Sequence, residues 1–181
     1  LQANQVREFC RWEVQQHATS IAMHTTQAFQ GFALDLERTV ALSERTVRSA
    51  THIRNTSRLP IPIRWFPHPF FPYPETDELC RLNIPVNIPA DASYELAQSG
   101  FIARKGWPWT EGHFQPLDHA AQSNAVVLQK HPLLGMVVAI CSYIPSYFPI
   151  WGNSRTFSWE PFLERTIGAG QAFSWWIDYV F

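Results

Sequence analysis

Charged side chains are scarce in this sequence of 181 residues. Asp, Glu, Lys and Arg together make up 16% of it, whereas a typical globular domain carries about 25%. The formal net charge of −1 excludes a strong overall field that would attract nucleic acid or anionic lipid. A chain with so few charges lacks the polar groups to cover its own surface. We therefore expect it to bury surface against lipid or other subunits.

Paired cysteines and catalytic motifs are also missing from the sequence. The three cysteines are Cys10, Cys80 and Cys141, and the lack of a CxxC pair disfavours a disulfide framework or a zinc ribbon. No GxSxG, Walker, GxGxxG or EF-hand pattern occurs. The sequence therefore predicts no cofactor, and no motif in it indicates a catalytic activity.

Proline is absent from residues 1–59, which contain a single glycine, Gly31. Apolar residues recur there at intervals of three, four, or sums of three and four, as on one face of a helix. We therefore predict one long amphipathic helix over 1–59, or two helices bent near Gly31 and ending before Pro60. Such a helix needs a partner surface for its apolar face. The residues of this apolar stripe are Val6, Cys10, Val14, Ile21, Ala28, Phe32, Leu36, Val40 and Val47.

Proline then becomes frequent, with eight of the fourteen prolines between residues 60 and 89. The string LPIPIRWFPHPFFPYPE alternates proline with bulky apolar residues, which excludes regular helix and favours an extended, polyproline-like chain. Residues 60–116 are therefore predicted to form an extended Pro- and aromatic-rich arm, followed by loops and a short helix capped by Asp91. Either the arm inserts its aromatic side chains into a partner surface, or it packs as a loop on the chain's own core.

Residues 131–154 contain no charged side chain. A run of this length can cross the hydrocarbon core of a bilayer, which takes about 20 apolar residues. For residues 117–181 we predict a helix over 118–130, then a kinked transmembrane or membrane-embedded helix over 131–152. A buried helix followed by a loop is the alternative. The apolar, aromatic tail 167–181 is too short to span a bilayer and is predicted to dock on a partner.

Together these segments predict a mainly α protein whose parts each require a partner surface. We predict a non-catalytic accessory or structural subunit of a large membrane protein complex, bound to other subunits and lipid. A respiratory complex or ATP synthase of the mitochondrial inner membrane is the preferred assignment, and a start at Leu1 without Met would fit removal of an organellar leader. Six aromatic residues are predicted to anchor the interface or the bilayer. They are Trp65, Trp107, Trp109, Tyr143, Tyr147 and Trp151.

The alternative function is a soluble small enzyme or apolar-ligand-binding domain with a site around Glu111–His119. The string TEGHFQPLDH places His113, Asp118 and His119 close together in the sequence, with Glu111 nearby. These side chains could supply metal ligands or a general base. Their spacing matches no zinc signature, and Pro116 excludes a helical HExxH arrangement. A competing structural interpretation makes Asp118 the N-cap of the helix that follows it.

Overall fold

The structure is a computed structural model that describes residues 8–90, 93–120 and 122–181. Within these ranges every regular element is a β-strand, and the strands pair antiparallel with their neighbours. The prediction of a mainly α protein is therefore wrong. The strands are β1 (Glu13–Gln16), β2 (Ser20–Phe29), β3 (Phe32–Ser43), β4 (Thr46–Asn55), β5 (Ile61–Trp65), β6 (Phe71–Pro72), β7 (Glu78–Leu82), β8 (Val86–Asn87), β9 (Tyr94–Leu96), β10 (Ile102–Arg104), β11 (His113–Pro116), β12 (Asp118–His119), β13 (Val126–His131), β14 (Gly135–Cys141), β15 (Pro149–Gly152), β16 (Thr156–Trp159), β17 (Leu163–Ile167) and β18 (Ala172–Val180).

Two sheets enclose the core. A ten-stranded sheet has the order β1-β2-β3-β4-β18-β14-β13-β7-β10-β9, and a four-stranded sheet has the order β11-β15-β16-β6. Two short pairs, β12 with β8 and β17 with β5, complete the described strands. Trp159 of the four-stranded sheet stacks on Tyr179 of the ten-stranded sheet, with 6.2 Å between ring centroids. One face of the four-stranded sheet therefore packs on the larger sheet, and its other face points away from the core.

The segment predicted to form a long helix instead forms β1 to β4, at one end of the ten-stranded sheet. Phe29 pairs with Phe32, and the two-residue turn between them is Gln30-Gly31, with φ of 49° and 85°. Positive φ at both turn residues is the type I′ geometry that two-residue hairpins favour. Gly31 therefore reverses the chain instead of bending a helix. Val6 of the predicted stripe lies outside the described residues.

The uncharged run forms strands of the core. Gly135–Cys141 is β14 and Pro149–Gly152 is β15. β14 lies inside the ten-stranded sheet between β13 and β18, with Val137, Ala139 and Cys141 buried. Charge is absent here because ionised side chains are costly to bury. The predicted membrane segment over 131–152 is wrong, and the described ranges contain no helix with the length and hydropathy of a membrane span.

The Pro-rich segment is built into the fold and does not form a separate arm. It supplies β5 to β8, and Phe71 of β6 is buried. Pro72 is tolerated in a strand because β6 lies at the edge of its sheet, where a missing backbone donor breaks no interior ladder.

The remaining predicted helices are strands as well. The helix predicted over 118–130 is replaced by β12 and β13, and the C-terminal tail forms β18 between β4 and β14. The predicted helix cap Asp91, and Ala121 within the predicted second helix, lie outside the described residues. The division of the chain into 1–59, 60–116 and 117–181 stays a prediction.

Candidate active site

The face of the four-stranded sheet that points away from the core, called the outer face below, carries a row of cross-strand partners. Phe114 of β11 pairs with Trp151 of β15, and Trp151 pairs with Ser158 of β16. Residues paired directly across strands project to the same face of a sheet. The adjacent positions Ile150 and Trp159 are fully buried in the core. Phe114, Trp151 and Ser158 therefore define the outer face.

Glu160 reaches the same face two residues after Ser158. Its backbone N–H donates to the carbonyl of Pro149 at 3.0 Å, which continues the pairing of β15 and β16 past the end of the strand. Only 7% of its side chain is exposed. Burial raises the pKa of Glu160, and the positive charge of a protonated His68 opposes this rise. The carboxylate therefore holds a proton more tightly than an exposed glutamate, as a general base requires.

His68 lies across Ser158 and Glu160 and contacts both. Its Nε2 is 3.1 Å from Oε1 of Glu160, and its Nδ1 is 3.1 Å from Oγ of Ser158. The serine hydroxyl donates to Nδ1 when the ring is neutral and accepts from Nδ1–H when the ring is protonated. The hydroxyl of Ser158 can therefore hold the imidazole of His68 in place either as donor or as acceptor.

Two prolines position His68. A residue that precedes proline is restricted to extended conformations, so Pro69 keeps the backbone of His68 extended. Pro67, which directly precedes His68, is buried and fixes the chain on the N-terminal side of the histidine. Immediately afterwards Phe71 pairs with Phe157 of β16. The pairing of β6 with β16 therefore brings His68 beside Ser158 and Glu160.

Aromatic rings lie against His68. The imidazole of His68 stacks on Phe70 with 4.2 Å between ring centroids, and it meets Trp151 edge-on at 5.9 Å. Phe70 and Trp151 also meet edge to face at 6.2 Å. The site thus places an acid–base pair beside an apolar wall, which suits a small ligand with an apolar face and reactive hydroxyl groups.

The backbone packs closely against Trp151. A Cβ added at Gly112 would lie 3.1 Å from Nε1 of Trp151, which is tighter than ordinary van der Waals contact. Glycine therefore lets this loop approach the indole without displacing it from the outer face.

The structure places the residues of the predicted Glu111–His119 site on different elements. His113 lies in β11, where its Nδ1 is 2.7 Å from Oγ of Ser93 and its ring packs on Trp109. The first of the two carboxylates, Glu111, is exposed. Phe114, within the same segment, joins the outer face.

Asp118 and His119 lie in β12, which belongs to a separate two-stranded sheet with β8. Asp118 begins a strand and does not cap a helix, and Nδ1 of His119 lies 3.1 Å from the carbonyl oxygen of Leu117. Within the parts of the chain that the structure describes, no three His, Cys, Asp or Glu side chains form a metal-binding group. A ligand or catalytic role for His113, His119 and Asp118 stays a prediction.

The six aromatic residues predicted as anchors occupy different environments. Trp109 and Tyr143 are buried in the core. Trp65 is half-buried and packs edge-on against Tyr143, Tyr147 packs against Phe162, and Trp107 is partly exposed beside Trp109. Trp151 contributes to the outer face.

Sequence reasoning does not single out His68 or Glu160. The sequence around each of the two residues nevertheless has a feature that could have identified it. His68 stands alone among prolines and aromatic residues in WFPHPFFP, and Glu160 is the only charged residue in TFSWEPFL. An isolated ionisable side chain in an apolar, aromatic stretch is a candidate functional group, because it lies beside apolar surface that could bind a ligand.

Comparison with solved structures identifies the fold. The chain superimposes on a galactose mutarotase related enzyme from Lactobacillus acidophilus with a TM-score of 0.66 and 13% identity, over 93% of this chain and 70% of that one. For a proposed aldose 1-epimerase from Escherichia coli K12 the TM-score is 0.63 and the identity 12%, over 93% and 67%. For a galactose mutarotase-like protein from Lactobacillus casei the values are 0.57 and 14%, over 93% and 72%. At these identities the likeness shows the fold alone, an antiparallel β-sandwich of galactose mutarotase type.

The chain spans about two thirds of the length of such structures. No protein-family model matches the sequence, and no curated protein matches it either.

The fold overturns the predicted role. In the described residues the chain forms neither the long helix nor the membrane helix that the prediction of a membrane-complex subunit requires. The predictions of a non-catalytic accessory subunit of a respiratory complex or ATP synthase, of subunit and lipid partners, and of a mitochondrial inner-membrane location are therefore wrong. The alternative prediction of a small enzyme or ligand-binding domain agrees better with the fold.

Proposed function

We propose that the protein is a sugar mutarotase, an aldose 1-epimerase that interconverts the α and β anomers of a free aldose. The observation that carries the proposal is the contact of 3.1 Å between His68 and the buried Glu160 on an aromatic-lined sheet face. The fold supports it, because the structures that resemble this chain include a galactose mutarotase related enzyme and a proposed aldose 1-epimerase.

The chemistry of anomer exchange requires a base and an acid side by side. The base removes the proton of the C1 hydroxyl while the acid protonates the ring oxygen, so that the bond from C1 to the ring oxygen breaks and an aldehyde forms. Rotation about the C1–C2 bond and the reverse proton transfers close the ring on the other face of the carbonyl. Both oxygens are bonded to C1, so the two catalytic groups must be close neighbours, as His68 and Glu160 are.

Each residue of the site has a role in this reaction. Glu160 is the base, because burial raises its pKa and strengthens its hold on the proton taken from the C1 hydroxyl. Protonated His68 is the acid for the ring oxygen. When the sugar binds, its C1 end lies between His68 and Glu160 and takes the place of their direct contact. The hydrogen bond between Ser158 and Nδ1 of His68 is retained. Phe70 and Trp151 pack on the C–H face of the sugar ring.

The test is the rate at which freshly dissolved α-D-galactose or α-D-glucose reaches anomeric equilibrium, followed by polarimetry. The protein is expected to accelerate equilibration of at least one of them. Glu160→Gln is expected to lower kcat by about 10² to 10⁴, the usual contribution of a general acid or base.

The matched control is Glu95→Gln, on the exposed side of β9, which should leave the rate unchanged. Circular dichroism verifies that both variants fold. An unchanged rate in Glu160→Gln, or no acceleration of either sugar by the wild-type protein, would contradict the proposal.

A further inference from the structure

We propose that Tyr143 is a positioning residue for Glu160: its hydroxyl holds the backbone directly after Glu160 and so keeps the carboxylate aimed at His68. The kinetic test of this inference rests on the proposed mutarotase function. The inference adds to that function a residue that acts through Glu160 from inside the core.

The contact that carries the proposal is a hydrogen bond to the residue after Glu160. The hydroxyl of Tyr143 donates to the backbone carbonyl of Pro161 at 2.8 Å. Both residues are buried, and Tyr143 is only 6% exposed. A carbonyl buried away from water needs a donor from the protein. Tyr143 supplies that donor one peptide bond away from Glu160.

The backbone of Glu160 is fixed on both sides. Before it, the pairing with β15 holds its N–H. After it, Pro161 restricts Glu160 to extended conformations, and the N–H of Phe162 donates to the carbonyl of Tyr147 at 2.8 Å. The bond from Tyr143 differs from these contacts because a side chain makes it. A single substitution can therefore remove it and leave the backbone pairing in place.

Tyr143 is itself held firmly by the larger sheet. It follows Cys141, the last residue of β14, by two positions. Its ring meets Trp65 edge-on at 6.1 Å, and Trp65 packs in turn on Trp175 of β18 at 5.3 Å. Burial raises the pKa of Tyr143, so its hydroxyl keeps its proton and remains a donor. The phenol therefore connects the core of the ten-stranded sheet to the segment that carries Glu160.

The two members of the acid–base pair are then held in different ways. The ring of His68 is held directly, by the hydroxyl of Ser158. The structure holds Glu160 through its backbone, and Tyr143 is the side chain that does so. Displacing a catalytic group by about 1 Å can lower a rate by about 10². Loss of the tyrosine hydroxyl should therefore reduce catalysis although Tyr143 is assigned no contact with the sugar.

The experiment measures mutarotation by Tyr143→Phe, with rates expressed per folded molecule from circular dichroism. We expect kcat to fall about tenfold and KM to stay unchanged, because the surface that contacts the sugar is intact. The acid limb of the profile of kcat/KM against pH should move to lower pH. A loosened Glu160 is better hydrated, so its pKa, which burial raises, should fall. A tyrosine that served only the fold would lower Tm and leave this limb in place.

The matched control is Tyr73→Phe. The hydroxyl of Tyr73 also donates to a backbone carbonyl at 2.8 Å, that of Asn153. Asn153 lies in the turn between β15 and β16, at the end of these strands away from Glu160. Tyr73→Phe should therefore leave kcat and the acid limb unchanged. Equal losses of kcat in the two variants would overturn the proposal, as would wild-type kcat and an unmoved limb in Tyr143→Phe.

A rescue experiment separates the hydrogen bond from the packing of the ring. Tyr143→4-aminophenylalanine replaces the hydroxyl by an amino group, which still donates a hydrogen bond to the carbonyl of Pro161. It is expected to restore kcat and the acid limb towards the wild-type values. A folded protein of this kind with the kcat of Tyr143→Phe would overturn the proposal.

Failure of the proposed function can be distinguished from failure of this inference by carbon NMR titration of the Glu160 carboxyl, assigned against Glu160→Gln. If the wild-type protein accelerates no sugar, the mutarotase function fails. A titration midpoint that falls in Tyr143→Phe and not in Tyr73→Phe would still support Tyr143 as the residue that positions the carboxylate. Equal midpoints in the wild-type protein and both variants would overturn it.

Discussion

Two histidine–carboxylate pairs in this molecule share one separation and differ in their surroundings. In the ten-stranded sheet, Nε2 of His24 lies 3.1 Å from Oδ1 of Asp35, and in the four-stranded sheet Nε2 of His68 lies 3.1 Å from Oε1 of Glu160. The two histidines are equally exposed, His24 at 41% and His68 at 40%, but Asp35 is 39% exposed and Glu160 only 7%. Only the second pair lies against aromatic rings that stack on its histidine.

Burial therefore decides which partner of such a pair is perturbed. The hydrogen bond that Asp35 accepts from His24 raises the pKa of His24. Burial instead raises the pKa of Glu160, because water no longer stabilises its charge. An exposed pair contributes little to stability and has no reactive member. A pair whose carboxylate is buried contains a group suited to proton transfer, at the same interatomic distance.

The largest expected effect is the difference in kcat between variants of the two histidines. His68→Asn removes the proposed acid and is expected to lower kcat for sugar mutarotation by about 10² to 10⁴. His24→Asn, with the same geometry to its carboxylate, should leave kcat within experimental error. Polarimetry on both purified variants measures the difference. Equal activities in the two variants would mean that burial does not distinguish the pairs in function.

A smaller effect should come from the residue that orients His68. Ser158→Ala removes the hydroxyl that contacts Nδ1 and is expected to lower kcat roughly three- to tenfold, the scale of one net hydrogen bond. KM should stay unchanged, because Ser158 is buried beneath His68 and is assigned no contact with the sugar.

The control for this variant is Ser174→Ala, which removes the hydroxyl 2.7 Å from Nδ1 of the exposed His52 and should affect neither constant. A rise in KM without a change in kcat in Ser158→Ala would show that the serine binds substrate and does not position the histidine.

The strands of the N-terminal segment left a weak signal in the sequence, and the helical periodicity obscured it. A spacing of four residues satisfies both a helix face and a strand face, so the apolar stripe of the N-terminal segment could not distinguish the two. The alternation in β4 is clearer: Thr51, Ile53 and Asn55 are buried, while His52 and Arg54 between them are exposed. Such a period of two, together with a turn glycine, predicts hairpins.

The uncharged run 131–154 led to the wrong prediction of a membrane helix for a physical reason. A central strand whose inner face is covered by a second sheet excludes charge as strictly as a bilayer does. In β14 the side chains of Val137, Ala139 and Cys141 are buried by the protein itself. Composition alone does not reveal whether lipid or protein buries such apolar side chains.

The site could not be assembled from sequence because its parts are distant along the chain. His68 and Glu160 meet only through the pairing of β6 with β16, and Phe114 joins them through β15. No local spacing encodes such contacts. The predicted cluster from His113 to His119 was compact in sequence, yet the strands carry its histidines into different sheets.

The smallest effect should appear in the pH dependence of stability. Because the pKa of Glu160 is raised in the fold, the folded state binds more protons than the unfolded chain from about pH 4.3 up to that raised pKa. Stability is therefore lost as the pH rises through this window. Glu160→Gln removes the cost of the buried charge, so its Tm should equal that of the wild type at low pH and exceed it above the window.

The exposed pair should respond in another pH range. The pKa of His24 is raised as well, so its contribution is complete below about pH 6.5 and is lost as the pH rises through the raised value. His24→Asn should therefore lower Tm slightly in acid and have no effect in alkali. Thermal melts from about pH 4 to about pH 9 measure both variants. A lower Tm for Glu160→Gln near neutral pH would mean that attraction to His68 outweighs the cost of burial, and the contrast between the two pairs would disappear.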